Sequence, residues 1–296
     1  MERSPPATLR TEAYLFKTAM GPNKNQMNGL LIRVETMIDA DSLEEIAFLS
    51  RSPVRVELLH RIERKQAPTC RDLRDDIDAS RTTIQRNLKA LVDKGWIEKS
   101  DNVYICTFTG NLLCSAITEL ADSIETLHRL EPILEHVSRS DLDLNIQQLH
   151  NAKITVATPS NPYAPVNRHV EALQTAHDFR LSTAVVGRDA FEQVWEQTVQ
   201  NGCDGELVLT NDAFEIVRSD SSYADLYREL LDVDNVELSV YDGDLPYYLG
   251  IVDDIVQVGV EDETGVPKAL LESDSPAVRE WAIAKHETYR CESEPI

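Results

Sequence analysis

The side chains best suited to bind an anion are concentrated in one short stretch, SRTTIQRNLKALVDKGWIEKS, residues 80–100. Arginine, lysine, glutamine and hydroxyl groups can donate hydrogen bonds to phosphate oxygens and to other acceptors. Between Arg51 and Lys99 there are 12 Lys and Arg against 8 Asp and Glu, a net charge of +4, whereas the whole chain carries −22. The stretch is therefore the basic part of an acidic chain, and it predicts an anion-binding surface.

The elements that must position these side chains are two helices and a hairpin. Thr69 is a candidate cap for a short helix, CRDLRDDI, and Ser80 for a second helix that ends at Gly95. After Gly95 the pattern alternates over 96–99 and 103–106 around a turn, which is typical of a two-stranded hairpin. A helix-turn-helix followed by such a hairpin is a winged helix-turn-helix, whose second helix enters the major groove of DNA.

The second helix has an apolar face, formed by Ile84, Leu88, Leu91 and Val92, and we expect its other face to meet solvent. The candidate DNA-binding residues on that face are Ser80, Arg81, Thr82, Gln85, Arg86 and Lys89. Such side chains can contact phosphates and base edges, so residues 42–108 are predicted to bind double-stranded DNA. The alternative is an adaptor that docks on a protein of the transcription machinery, which would more often expose apolar side chains there.

A long helix over 109–137 is predicted next. Its apolar residues recur at alternating spacings of four and three, namely Leu113, Ile117, Leu120, Ile124 and Leu127. This heptad pattern is suited to packing against a partner helix. We expect it to form a homodimer.

Strand and helix patterns alternate from about residue 150 to 296, which predicts an α/β effector domain with a parallel sheet, completed by antiparallel strands into a mixed sheet. Ligands of open α/β sheets bind beyond the carboxyl ends of the strands. The residues predicted there are Thr158, Ser160, Asn161, Tyr163, Arg188, Thr210, Asn211 and Tyr241. They are mostly hydroxyls and amides, so we expect a polar small-molecule effector.

The segments IAFLSRSPVRVELLHRI and CRDLRDDIDASRTTIQRNLKALVDKGWIEKSDNVYICTFTG resemble archaeal winged-helix transcription regulators of the arsenic-repressor-like group. The stretch 42–292 is similar to halophile members that carry the predicted ligand-binding middle domain first named in a methanogenesis regulatory protein. The resemblance implies a dimeric DNA-binding regulator with an effector domain. By position, it places Ser80, Arg81, Thr82, Thr83, Gln85 and Arg86 on the recognition helix, and Lys99 and Asn102 on the wing.

The composition excludes several other classes of protein. There is no apolar run long enough to span a membrane and no apolar signal-peptide core, so we expect a cytoplasmic protein. The five cysteines form no CxxC pair and the seven histidines no HExxH, so neither a metal nor a cofactor is expected. The 51 acidic residues and only nine lysines are typical of proteins from extreme halophiles, with an acidic mesophilic protein as the alternative.

Catalysis is also not expected. The chain has no GxGxxG, GxxxxGK or GxSxG motif. It also has no HxK motif, which catalysis by phospholipase-like folds requires. An enzyme with a DNA-targeting module is the third alternative. Residues 1–36 have no sustained period, so we expect a flexible extension, and Met37 opens a stretch typical of a protein start.

Overall fold

The computed structural model describes residues 39–138 and 140–296, so the predicted flexible extension, residues 1–36, lies outside the described residues. The chain divides into two compact units, one ending at Cys114 and one formed by Ser115–Ile296. Helix α5 runs from the first unit into the second.

The described part of the first unit, from residue 39 onwards, contains four helices, a hairpin and the start of a long helix. The helices are α1 (Ala40–Ser50), α2 (Pro53–Lys65), α3 (Cys70–Asp76) and α4 (Arg81–Asp93). Strands β1 (Ile97–Ser100) and β2 (Val103–Cys106) pair antiparallel, and α5 (Phe108–Leu134) follows. The order α3, α4, β1, β2 is the predicted winged helix-turn-helix.

The predicted ends of α3 and α4 are confirmed, whereas α1 is capped by Asp39 and not by Ser42, which the sequence pattern favours. Thr69 and Asp72 form a reciprocal capping box at the start of α3, and the Ser80 hydroxyl accepts a hydrogen bond from Thr83 N–H at 3.1 Å. Gly95 follows α4 with φ +71°, a conformation that glycine adopts at no steric cost. The inner residues Ile84, Leu88 and Leu91 are buried, and Val92 is partly exposed.

The second unit is built on one eight-stranded mixed sheet. Its strands are β3 (Lys153–Val156), β4 (Asp178–Thr183), β5 (Asp204–Thr210), β6 (Val236–Tyr241), β7 (Tyr248–Val252), β8 (Ile255–Glu261), β9 (Pro267–Ser273) and β10 (Ser293–Pro295). The spatial order is β10-β6-β5-β4-β7-β8-β9-β3. Only β4, β5 and β6 pair parallel to one another, and the other neighbours pair antiparallel. The mixed sheet predicted from the sequence is therefore present.

Helices and short turns cover both faces of the sheet. They are a 3₁₀ turn (Ile146–Leu149), α6 (Ala164–Leu173), α7 (Arg188–Trp195) with a π-helical end (Glu196–Gln200), α8 (Asn211–Ser219), α9 (Ala224–Leu231) and α10 (Pro276–Cys291). One core lies against α7, α8 and α9 and includes Phe179, Leu207 and Val217. The other includes Leu130 and Ile133 from the end of α5 and Val278 from α10. Both faces of the sheet are thus covered by apolar side chains.

Two details differ from the sequence-based expectation. Strand β3 pairs with β9 at the sheet edge and does not join the parallel set, because the local pattern of a strand does not specify its neighbour. The apolar pattern of LSTAVVG, residues 181–187, is typical of one strand, but β4 spans Asp178–Thr183 and residues 184–187 form a loop. Within the described ranges, no helix is long and apolar enough to cross a membrane.

Candidate functional site

The exposed surface of α4 is defined by how its inner face is anchored. Asn87 is buried on that face, where its side-chain amide donates to the Thr83 carbonyl at 3.0 Å. Its carbonyl oxygen accepts from Arg55 Nε at 3.3 Å and from the Ser52 hydroxyl at 3.4 Å, which joins α4 to α2. The opposite face of α4 is thereby directed to solvent.

Most of the predicted DNA-binding residues of α4 lie on this solvent face. Arg81, Thr82, Gln85, Arg86 and Lys89 are exposed. Ser80 and Thr83 instead serve the helix end, since their hydroxyls lie 2.9 Å apart and Ser80 caps the helix. The structure therefore brings together one patch of basic and amide side chains, with the two capping residues at its edge.

The cationic groups of this patch are not neutralised within the chain. Among the described residues, Arg81, Arg86, Lys89 and Lys99 make no ion pair. By contrast, every arginine between residues 140 and 296 lies within 4 Å of a carboxylate. The charge of a cation that has no carboxylate beside it is not offset locally, so the cation can attract an external anion more strongly.

The hairpin presents the two remaining candidate residues. Lys99 and Asn102 are exposed on strand β1 and at the turn, and the turn residue Asp101 has φ +51°. Lys99 Nζ lies 5.9 Å from the centre of the Tyr104 ring, opposite it across the hairpin. Tyr104 N–H donates to the Pro68 carbonyl at 3.0 Å, which connects the hairpin to the residues before α3.

The predicted effector residues are not brought together as a group. Tyr163 and Arg188 line a cavity of about 390 Å³ on the α6 and α7 side of the sheet. The other six serve local structure: Thr158, Ser160 and Asn161 bond to one another in a turn, Thr210 caps α8, Asn211 donates to Asp242 at 2.8 Å, and Tyr241 donates to Glu292 at 3.5 Å. Tyr247 and Tyr248, which the sequence also offers as aromatic wall residues, are in the lining, but most of the other lining residues were not singled out from the sequence.

Two half-buried polar side chains of the cavity wall, His169 and Tyr248, begin a chain of hydrogen-bonded polar groups. His169 Nδ1 lies 2.9 Å from Gln257 Oε1 and 3.1 Å from the Tyr248 hydroxyl. Gln257 donates onward to Glu272 at 3.3 Å, and Glu272 accepts from Arg168 Nε at 2.8 Å. Burial lowers the pKa of His169 and raises the pKa of Tyr248 well above its usual value, so both are neutral near pH 7.

Glycines make room for the Tyr248 ring. A Cβ at Gly250 would overlap the Tyr248 hydroxyl, and one at Gly259 would approach the ring to 3.1 Å. Gly250 and Gly259 lie in the adjacent strands β7 and β8. A glycine inside a strand often marks a place where another group approaches closely, so these two could have indicated that a large side chain lies over the sheet there. His169 and Gln257 are 88 positions apart, and nothing in their local sequence predicts their contact.

A small cluster near the start of α5 was also not predicted. His60, Glu63 and Cys114 each place one potential metal-ligand atom within 4.8 Å of the others, although the sequence led us to expect no metal site. Burial raises the pKa of the Cys114 thiol and raises that of Cys106 to about 11. Both thiols are therefore protonated at neutral pH, which opposes metal binding and oxidation alike.

Two protein-family models match separate parts of the chain. Residues 162–292 match the model described as the methanogenesis regulatory protein FilR1, middle domain, and residues 43–129 match that described as the HVO_A0261 N-terminal domain. No curated protein matches the sequence.

Several solved structures share a distant similarity in fold with the chain. One is that of TrmBL2, described as an archaeal chromatin protein with a novel mode of DNA binding, with a TM-score of 0.38, 14% identity and coverage of 93% of this chain and 100% of that one. Two more are Nuc, a phospholipase D family member from Salmonella typhimurium (TM-score 0.39, 12% identity, 49% and 99% coverage), and NucT from Helicobacter pylori (0.39, 14%, 49% and 99%). TM-scores this low carry no argument about function. The family matches give the firmer result: the second unit of this chain is similar to a domain of a regulatory protein.

Proposed function

We propose that the chain is a DNA-binding transcription regulator that inserts α4 into the major groove and lays the hairpin along the phosphates. One observation carries the proposal: within residues 39–138 and 140–296, the exposed Arg81, Arg86, Lys89 and Lys99 form no ion pair, although the chain carries a net charge of −22. Phosphate contacts dominate the affinity of proteins for DNA, and they require such unpaired cations. Arginine and glutamine on the first turns of α4 can then read base edges.

The composition of the exposed α4 surface argues against the adaptor alternative. Protein-docking surfaces are enriched at their centre in aromatic residues and methionine, as well as in arginine. The first half of α4 exposes Arg81, Thr82, Gln85 and Arg86, a set without an aromatic or aliphatic side chain. We accordingly place the protein with the archaeal winged-helix regulators that the sequence resembles.

The decisive experiment is fluorescence anisotropy with the DNA upstream of the protein's own gene, in a salt series that includes concentrated potassium chloride, because we infer from the acid excess that the fold is adapted to salt. The variant R81A/R86A should lose sequence-specific binding. The matched control is R218A/R228A, which removes the same charge from exposed arginines that are each paired with a carboxylate. Equal binding by the parent and R81A/R86A, or equal losses in both variants, would contradict the proposal.

We also propose that α5 forms the dimer contact. Leu120, Ile124 and Leu127 are 55%, 47% and 46% exposed, whereas Leu113 and Ile117 are partly covered. The apolar surface of such a heptad stripe stays in contact with water, which is unfavourable, unless a second helix buries it. The variant L120E/I124E should sediment as a monomer and keep its helix content, while E119Q/E125Q, on exposed neighbours, should sediment as the parent does.

The second unit is proposed to bind an effector in the 390 Å³ cavity, without catalysis. The cavity falls in the size range of small-molecule sites. A non-catalytic role is supported by the sequence, since none of the seven histidines stands in an HxK motif.

A further inference from the structure

The cavity in the second unit is lined mainly by apolar side chains, which distinguishes it from the polar site expected from the sequence. Leu181, Phe191, Val194, Leu207 and Leu270 contribute to its wall. The neutral pair His169 and Tyr248 supplies polar atoms. An occupant must therefore have a substantial apolar body, because a strongly hydrated molecule would lose its water without replacement.

The charged residues that line the cavity differ in whether they have a partner of opposite charge. Arg188 lines it, but its guanidinium is paired with Glu192 at 2.6 Å and also donates to the Ser222 carbonyl. Its positive charge is therefore already matched within the chain. Asp189, which follows it, is exposed at the rim.

Glu261 is the less exposed of two carboxylates in the lining, the other being Asp189, and neither forms an ion pair within the described residues. Glu261 is half-buried at the end of β8. The nearest candidate, Lys268, is paired with the neighbouring Asp262 at 2.7 Å. Burial and Asp262 raise the pKa of the Glu261 carboxyl, as expected for a carboxylate without a cation beside it.

Aromatic rings complete the environment of a cation. Tyr163, Tyr248 and Phe191 line the same cavity, and Tyr163 is 63% exposed, as expected for a residue at an opening. Ring faces attract organic cations, and a half-buried carboxylate adds a charge that water screens only in part. The two features select the same class of molecule.

We propose that the cavity binds an apolar organic cation, with the hydrocarbon body among the apolar walls and an ammonium-type group beside Glu261. The inference rests on the proposed effector role of the second unit and names the chemical class of its ligand. The acidic surface would attract any cation weakly, so the test must separate the cavity from the surface.

The test uses three naphthalene probes of similar shape and different charge: 1-naphthylmethylammonium, 1-naphthylmethanol and 1-naphthaleneacetate. Binding to the full chain is measured by isothermal titration calorimetry in concentrated potassium chloride, which screens the surface charges. We expect one site per chain, with the ammonium probe bound about tenfold more tightly than the alcohol, and the acetate weakest.

The matched variants are E261Q and E263Q. Glu263 is an exposed residue of the adjacent turn, and its replacement removes the same charge outside the cavity lining. E261Q should bind the ammonium probe no better than the alcohol and keep its affinity for the alcohol, whereas E263Q should behave as the parent.

Three results would overturn the inference: equal affinity of the parent for ammonium and alcohol, preserved discrimination in E261Q, or no binding of any probe. The comparison of probes on the parent decides the matter even if E261Q does not fold. DNA binding is measured without a probe, so failure of the ligand proposal leaves the DNA result standing, and the reverse also holds.

Discussion

Asn87 accepts a hydrogen bond from Arg55 Nε at 3.3 Å, so a buried amide on α4 satisfies a guanidinium on α2. The Arg55 guanidinium also lies over the Phe48 ring, 3.6 Å from its centre. Burial and the nearby Arg86 lower the pKa of Arg55, which shows how closely this contact lies to the exposed basic surface. The position of α4 thus depends on a polar contact as well as on its apolar face.

Replacement of Asn87 by alanine should destabilise the first unit by about 1–3 kcal/mol, because Arg55 Nε would lose its acceptor in a partly buried place. Urea unfolding can be followed through Trp96 fluorescence in a W195F/W281F background. The control Q85A changes an exposed residue of the same helix and should cost at most about 0.5 kcal/mol. Equal stability of both variants would show that the contact contributes nothing.

Replacement of Lys99 by alanine tests the hairpin as a phosphate contact. It should weaken binding to all DNA sequences evenly and reduce the slope of log affinity against log salt by about 1. The control K153A removes an exposed lysine of the second unit that likewise forms no ion pair with any residue that the structure describes. An unchanged slope in K99A, or an equal change in K153A, would remove Lys99 from the DNA surface.

Gly110, at the start of α5, should not tolerate a side chain. A Cβ there would overlap the Trp96 carbonyl oxygen, and backbone cannot give way as a flexible side chain can. We expect G110A to lose about 1–3 kcal/mol of stability in thermal unfolding. The control is G187A, where a Cβ would meet nothing within 4 Å and φ is −83°. A stable G110A would mean that α5 begins elsewhere.

His286 should make the second unit less stable in acid. It is fully buried, with Nδ1 2.9 Å from the Ser182 hydroxyl and Nε2 3.2 Å from Glu206 Oε2. Burial lowers its pKa and outweighs Glu206, which acts in the opposite direction. Because the folded pKa lies below the unfolded value near 6.5, the stabilisation is present above that value and is lost as the pH falls below it.

The variant H286Q should therefore show a shallower fall in the free energy of unfolding between pH 7.5 and about 5 than the parent does. Near-UV circular dichroism in urea provides the measurement. His177 is exposed, so H177Q should keep the slope of the parent. If H286Q and the parent had the same slope, His286 would take up protons equally in the folded and the unfolded protein, and its pKa would not be lowered by folding.

The sequence predicts the first unit closely because its signals are local. Thr69 and Ser80 are caps whose partners lie three residues away, and Gly95 ends α4 through its own backbone. The second unit depends on contacts that no short segment encodes. Thr210 was predicted to face a ligand, but it caps α8, and the pairing of β3 with β9 joins residues more than 100 positions apart.

The site shows the same contrast. The basic face of α4 follows from helix periodicity, so Arg81, Gln85 and Arg86 could be identified from spacing. Whether a cation is free or paired depends on tertiary neighbours, and the difference between Arg86 and Arg188 is visible only in the structure. The same holds for Glu261, which is one acid among 51 in the sequence.

The hydrogen bond from Tyr104 N–H to the Pro68 carbonyl has a consequence for hydrogen exchange. The hairpin cannot open there without detaching from the entrance of α3, so both should lose protection in one cooperative step. A hairpin held in this way is already ordered before it meets a partner. Little conformational entropy then remains to be lost when its tip becomes immobilised.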